Sequence, residues 1–591
     1  MLFKELADYY ERLTSISSRL GMIDVMSELF SKAKPGEIKS IVYMTQGVLA
    51  PPFEGIEFGM AEKTVEEAIA IATGYTKGEV DREYRKAGDM GEAASAIKQR
   101  SRLKRMGSAK PSINEVYETM RKISGTSGRG SKELKIKMLA NLIAAASPAE
   151  AKYMVKYPLD ELRLGLGDAT MLEALSLAYT GDRKGKPKLE NAYNLCSDLG
   201  MVAESVASGG MKAIEGFKVT LFKPIRPALA ERLPTAEQIL EKMNGTAAVE
   251  QKYDGFRCQI HRKGDRVRIF SRRLEDTTQM FPDLARAVLD EVGADSMILD
   301  GEALAYNEDT GEFLPFQETI QRKRKHGVSE KAEEMPLRLF AFDMMMLEGR
   351  DMMGEPYRKR REALERALEG SSAIRPATMI TASSAKQLEE FFERSIENGL
   401  EGIVAKDLDS AYVAGARKFT WIKMKRSYKG ELSDTLDLVV VGYYLGHGMR
   451  SEFKFGGLLC ATYNDKADRF ETISRIGSGF TEKQMVELKG LLDKEAVKSR
   501  PARVDAIVEP DFWVYPKYVV TVKADEITKS PTHTCGRQKQ EDGTEAGFAL
   551  RFPRLVGDEA VRGDKGPGEA TTTKEVSEMY KSQKRVRIED G

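Results

Sequence analysis

At Phe222-Lys-Pro-Ile-Arg-Pro227 the chain changes its period. Before this point apolar residues recur three and four apart, as in Val65–Ala72 and Leu134–Ala146, which predicts helices up to about residue 215. Two prolines so close together suit an extended lead-in. Beyond them β-like runs alternate with helical ones. The predicted strands are Ala247–Lys252, Arg266–Ser271, Met297–Tyr306, Leu337–Met344 and Gly402–Ala405. A third texture begins near Leu436-Asp-Leu-Val-Val-Val-Gly-Tyr-Tyr444, with short strands and turns such as Tyr518-Val-Val-Thr-Val-Lys523, the pattern of a small β-barrel. At 591 residues the chain exceeds a single core. The expected fold is multidomain: all-α over 1–218, α+β over 219–430, and a β-barrel with a helical tail over 431–591.

The net charge of +1 announces no polyanion binder, so any such role rests on local basic segments. The cysteines (Cys196, Cys258, Cys460, Cys535) form no Cys-x-x-Cys pair. That excludes a zinc site of local spacing and a disulfide framework, and it predicts a reducing compartment. The first ten residues read as an amphipathic helix rather than a signal peptide, and no apolar run reaches membrane-spanning length. The expected location is the cytoplasm, with no membrane partner.

The chemistry centres on Glu250-Gln-Lys-Tyr-Asp-Gly-Phe-Arg257. Alone, Lys-x-Asp-Gly is a strand running into an ordinary turn. Downstream, however, come Ser271-Arg-Arg273, Leu299-Asp-Gly-Glu302, Phe340-Ala-Phe-Asp343, Glu401-Gly-Ile-Val-Ala-Lys406 and Trp421-Ile-Lys-Met-Lys425. Lys423 and Lys425 are two apart, so on a strand both point to one face.

This ordered series resembles the covalent nucleotidyltransferases, and over nearly the whole chain it is most similar to archaeal and eukaryotic ATP-dependent DNA ligases. The resemblance implies a helical DNA-binding domain, an adenylyltransferase domain and an OB-fold. Lys252 would be the nucleophile that carries AMP, in a nick-sealing enzyme of DNA replication, repair and recombination. A lysine amine attacks phosphorus only when neutral, so nearby cations (Arg257, Arg272, Lys423, Lys425, a divalent metal) are expected to lower its pKa.

By the same resemblance Glu250 contacts the adenine amine, Phe342 stacks on the base, and Glu302 holds the ribose. Arg257 and Arg272 bind ribose or phosphate, and Lys406 faces the phosphates. Glu401 binds magnesium, with manganese as the alternative, and Asp254 positions metal in later steps. Arg551 and Arg554, in Leu550-Arg-Phe-Pro-Arg554, resemble the last ligase motif, which orients the ATP pyrophosphate. The spacer from there to Arg562-Gly-Asp-Lys565 is longer than the family pattern, so Asp564 and Lys565 carry less weight.

For DNA, Gly128-Arg-Gly-Ser131 before a helix presents backbone N–H groups, Arg129 and Ser131 to a phosphate. Leu162-Arg-Leu-Gly-Leu-Gly-Asp168, including Arg163, resembles a signature of the ligase DNA-binding domain. Arg322 and Lys323 lie in a cationic run from Gln317 to His326 expected to track the backbone. The expected partner is nicked duplex DNA and the expected state a monomer. A sliding clamp is a further family partner, but no docking motif marks it here.

Rival readings are an RNA ligase or a GTP-using capping enzyme, neither needing so large a helical domain, and a non-catalytic DNA-binding scaffold, against which the full set of core residues counts. An NAD-dependent ligase would bring an extra amino-terminal module and a four-cysteine zinc site, which this sequence does not show.

Overall fold

The computed structural model describes residues 1–16, 18–103, 110–162, 164–233, 235–307, 312–314, 319, 322, 324, 327–398, 400–425, 435–446, 455–540, 543–557, 559–563 and 565–582. Helices make up its first part, from Phe3–Thr14 to Leu199–Ile214. The helix Ile113–Gly125 shows why. Ser112 caps it, Glu115 reaches back to the Ser112 N–H at 2.8 Å, and Ile113, Val116, Tyr117, Met120 and Ile123 form one buried stripe. Such stripes merge into a single core running from Phe3 to Ile214.

The proline-bearing lead-in is pinned on both sides. The Phe222 N–H donates to His261 Nδ1 at 2.9 Å, and the Gln259 amide bonds both the N–H and the carbonyl of Ile225 at 2.7 and 3.0 Å. Arg226 donates to Tyr193 Oη at 2.7 Å and to Asp168 at 3.2 Å, and Tyr193 donates to Asp168 at 2.8 Å. Asp168, in the segment that resembles a signature of the ligase DNA-binding domain, therefore fastens the helical part to the lead-in.

Two sheets follow. The first comprises β1 (Leu229–Arg232), β2 (Ala247–Lys252), β10 (Met379–Ala382), β11 (Gly402–Lys406) and β12 (Arg417–Lys425), in the order β1-β12-β11-β2-β10. The second comprises β3 (Phe256–Lys263), β4 (Arg266–Ser271), β5 (Ser296–Asn307), β7 (Leu337–Leu347) and β8 (Arg350–Asp351), in the order β4-β3-β5-β7-β8. The short strands β6 (Glu312–Phe313) and β9 (Ile374–Pro376) pair with β5 and β7. Each sheet buries its outer face under helices: Ala236–Lys242 and Ala385–Glu397 on the first, Pro282–Glu291 and Tyr357–Ala367 on the second. The inner faces meet at a cleft.

The remaining chain is β-rich. A sheet centred on β13 (Leu436–Tyr444), β14 (Gly457–Asn464) and β15 (Arg469–Ile476) curls around a second core, and Glu526–Ser530 and Glu545–Arg551 form a hairpin-like pair beside it. The helix Thr573–Ser582 packs Val576 into that core. The basic run Lys584–Arg587 lies outside the described residues. All four cysteines are buried and unpaired with one another. Among the described residues no helix is long and apolar enough to cross a membrane.

Candidate active site

Strand register builds the site. Across β2, β11 and β12 the rows are Ala248–Lys406–Trp421, Glu250–Val404–Lys423 and Lys252–Gly402–Lys425. Residues opposite one another share a face, and alternation places Val249, Ile403, Ala405, Ile422 and Met424 on the other, under the helices. Glu250, Lys252, Lys406, Lys423 and Lys425 thus all face the cleft. From the second sheet come Arg257, opposite Glu302, and Phe342. Two glycines of the motifs are required by close approach. A Cβ on Gly255 would lie 2.2 Å from the Ala303 carbonyl oxygen, and one on Gly402 (φ +146°) 2.1 Å from that of Met424.

At one end of the cleft Lys252 and Lys425 both donate to Glu401, one to each carboxylate oxygen. Asp254 receives the Arg551 guanidinium at 2.6 and 3.4 Å, so the β-rich region reaches the site through its hairpin-like pair. Burial pushes the Lys252 amine toward its neutral form, but Glu401, Glu302 and Asp254 outweigh it, and the net pKa is raised. This corrects the expectation of a cation-depressed lysine: the carboxylates nearest Lys252 dominate its field. Glu302, whose Oε1 accepts from the Gly255 N–H at 3.1 Å, is pushed up to about 7 by burial, against the pull of Lys252 and Arg257.

The other end is closed around Glu250, which is 2% exposed. Its Oε1 accepts from Tyr357 Oη and from Arg361 at 3.3 Å, and its Oε2 meets Lys406 Nζ at 2.8 Å. Lys406 also donates to the Phe342 carbonyl at 2.5 Å and lies 4.2 Å from the Trp421 ring centre. The Phe342 ring has Trp421 edge-on at 5.9 Å and the Arg257 guanidinium at 5.3 Å. Lys406 was expected at the phosphates. It sits instead at the far end of β11 from Glu401, where strand rise alone separates it from the Lys252 row by about 13 Å.

The other expected residues scatter. Arg257 is locked on Asp300 at 2.6 and 3.1 Å and on the Ala228 carbonyl at 3.1 Å, so it lines the Phe342 pocket as a fixed wall. Arg272 is exposed in the turn after β4. Arg554 pairs with Asp525 at 2.9 Å, and Lys565 pairs with Asp437 at 2.6 Å within the β-rich region. Arg129 is exposed between two left-handed glycines, and Ser131 opens the helix Ser131–Ala145, as the sequence predicts.

Arg322 corrects its expectation: it is 0% exposed and bonds Asp283 at 2.5 Å, so this arginine faces inward rather than toward a DNA backbone. Arg163, Lys323 and Asp564 lie outside the described residues. Sequence reasoning missed Asp300, Tyr357 and Arg361, which anchor the cleft residues. Only the Asp300 position, inside Leu299-Asp-Gly-Glu302, carried a signal. Among the described residues no group of three or more His, Cys, Asp or Glu side chains is arranged to hold a metal by itself.

Comparison with known proteins identifies the family of the chain. Residues 227–425 match the family model described as ATP dependent DNA ligase domain, 2–176 that described as DNA ligase N terminus, and 451–565 that described as ATP dependent DNA ligase C terminal region. A "probable DNA ligase" of Dictyoglomus thermophilum is 47% identical over 590 residues, covering 100% of this chain and 99% of that protein. A DNA ligase of Hyperthermus butylicus is 41% identical over 608 residues, again covering 100% and 99%. The solved structure Pmar-Lig_PreS3 shares the fold at 16% identity, with a TM-score of 0.54 over 93% of this chain and 98% of that one.

Proposed function

The chain belongs to the ATP-dependent DNA ligase family, whose members seal nicks in DNA through adenylate intermediates, and from that premise we propose how its residues divide the work. Lys252 is the nucleophile. Its Nζ loses a proton and attacks the α-phosphorus of ATP, a P–N bond forms, and the bond to pyrophosphate breaks. AMP then passes to the 5′-phosphate at a nick, and the 3′-hydroxyl displaces it to close the phosphodiester. The observation that supports this reading is the register. It gathers Lys252, Glu250, Lys423 and Lys425 on one face opposite Glu302 and Phe342, with Arg551 reaching in from another part of the chain.

Lys423 and Lys425 meet the triphosphate, with Arg551 at its pyrophosphate end. Arg554 and Arg272 are further phosphate contacts, reached when the β-rich region and the turn after β4 move. Glu302 takes the ribose, Phe342 the base face and Glu250 its amino group, with Arg257 as the wall beside Phe342.

Glu401 and Asp254 fit a magnesium ion. Both are hard oxygen donors that now hold cations, and magnesium needs only one or two carboxylates when substrate phosphates complete its shell. When bound, the ion supplies charge neutralisation at the phosphates. Releasing Lys252 from Glu401 frees its amine to lose a proton.

The helical part, residues 1–218, grips nicked duplex DNA, and Arg129 and Ser131 touch its backbone. Residues 219–430 form the adenylyltransferase domain, and 431–591 an OB-fold with a helical tail, in a chain that acts as a monomer. The test is covalent labelling with α-labelled ATP, GTP or NAD, followed by sealing of defined nicked DNA and RNA duplexes. Labelling from ATP and sealing of DNA are expected. Efficient adenylylation from NAD in ATP-free buffer, or sealing confined to RNA, would overturn the reading.

A further inference from the structure

The nucleotide reading places Glu250 at the amino group of the base and says nothing of what holds Glu250 there. A lone carboxylate at 2% exposure is costly unless its charge is matched and its lone pairs are used. Two carboxylate oxygens offer about four acceptor positions. On Oε1 the Tyr357 hydroxyl and Arg361 Nη1 take two; on Oε2 Lys406 takes a third, at 2.8 Å. Among the described residues no other donor meets the carboxylate, so one acceptor position, on Oε2, is left for a ligand.

The three donors are themselves fixed. Tyr357 and Arg361 lie one turn apart on the helix Tyr357–Ala367, so a single rigid element presents both. Arg361 is clamped further by the Ala377 carbonyl at 2.8 Å and by Glu365 at 2.6 Å. Lys406 bonds the Phe342 carbonyl at 2.5 Å as well as Glu250, so one ammonium ties the strand carrying the stacking ring to the group that reads the base edge.

We propose that Tyr357 and Arg361, with Lys406, are positioning residues for base selection: they hold Glu250 as an aimed acceptor with one free lone pair. The site then takes a purine bearing an exocyclic amine at C6 and rejects one bearing a carbonyl there. Guanine would set its O6, an acceptor, against a carboxylate with no proton to give. Three fixed donors leave Glu250 no freedom to turn away from that clash. The inference rests on the reading of Glu250 as the base contact, and the experiment separates the two.

The full-length protein is assayed for pyrophosphate release and adduct mass with ATP and with purine riboside triphosphate, which lacks the 6-amino group. The wild type is expected to favour ATP in kcat/KM by about 10- to 100-fold, the worth of one hydrogen bond to a charged group. Tyr357→Phe keeps the ring and removes the donor. The preference should fall about fivefold or more, through a higher KM for ATP, while the constants for the analogue hold. Arg361→Lys keeps the charge and loses the fork. It should move the ratio the same way, and it decides the matter if the tyrosine variant does not fold. Equal losses for ATP and the analogue in both variants would mean these residues merely support the fold, and would overturn the inference. Glu250→Gln is the arm that tells the readings apart. If it keeps the full preference, the assignment of Glu250 to the base is wrong and the inference falls with it. If it loses the preference while both positioning variants keep theirs, only the inference falls.

Discussion

The two ends of the cleft are built from similar charged residues and behave in opposite ways. At the Glu250 end every charge is buried and held by several partners. Glu250 is 2% exposed and Lys406 1%, and Asp343 beside them bonds Arg360 at 2.7 Å. At the Lys252 end the side chains of Lys252, Lys425 and Glu401 remain 25 to 26% exposed, and each bonds a group that the proposed reaction takes from it. A base pocket must be complete before its ligand arrives, because a buried acceptor cannot rearrange cheaply. A site for phosphates can rest in internal ion pairs, since exchanging one cation for another near solvent costs little. The first end is rigid by construction and the second is a set of replaceable partners.

The comparison breaks most sharply at Lys252. Lys252→Ala should abolish labelling from α-labelled ATP, and Lys252→Arg should do the same because a guanidinium stays protonated. Both should leave the folded protein intact, since the lysine's partner Glu401 keeps Lys425. Substantial labelling in either variant would refute the nucleophile. At the other end the pattern should invert. Lys406→Met removes one of the two cations that match the buried Glu250 and leaves it to Arg361 and Tyr357. It should cost on the order of 1.5–3 kcal/mol in denaturant unfolding, whereas Lys425→Met, near solvent, should change stability little. Equal stability losses at the two lysines would erase the distinction between the two ends. Next in size is Arg551→Ala. Removing it should slow lysine adenylylation about 100-fold. Enzyme already carrying AMP should seal nicks at a rate much nearer the wild type, and an equal loss in both steps would place Arg551 in the later chemistry.

How much of this was legible in the sequence follows the same division. That Lys252, Asp254, Glu302, Glu401 and the lysine pair of β12 gather at one cleft was legible through the ordered motifs and the resemblance they carry, because motif, strand and turn are local and a cross-strand register turns local spacing into a shared face. Strands β2 and β4 begin and end where the sequence predicts. Strand β3 was not among the predicted strands. Its Arg257, Gln259 and His261 face the cleft and the lead-in, so the apolar alternation that marks a strand is half replaced by polar groups with buried partners. The positioning residues were hidden for a related reason. Tyr357-Arg-Lys-Arg-Arg361 reads as a solvated basic helix, yet Arg360 and Arg361 are 0% and 7% exposed against Asp343 and Glu250. Arg322 misled in the same way. An arginine's partner is fixed by tertiary structure, and a basic run does not say whether that partner is solvent, DNA or a buried carboxylate.

Glu302 stands between the two ends and gives the smallest effect and the finest test. Its ordinary pKa is 4.5, and in the folded protein burial pushes it up to about 7. Between those values the unfolded chain has released the proton and the folded chain still holds it. Stability must therefore fall as pH rises through that window: the contribution is fully present below about 4.5 and lost above about 7. The carboxyl is partly open to the cleft, so solvent trims the penalty to about 2 kcal/mol. Glu302→Gln has no proton to lose. Its stability relative to the wild type should rise from pH 5 to pH 8 by about that amount. Trp421 lies in this domain and Trp513, the other tryptophan, lies in the β-rich region, so a Trp513→Phe background lets Trp421 fluorescence report urea unfolding of the cleft alone. If the variant and the wild type show the same dependence on pH, Glu302 is already ionised near pH 5. The resting field around Lys252 then contains one more full negative charge than its raised pKa would place there.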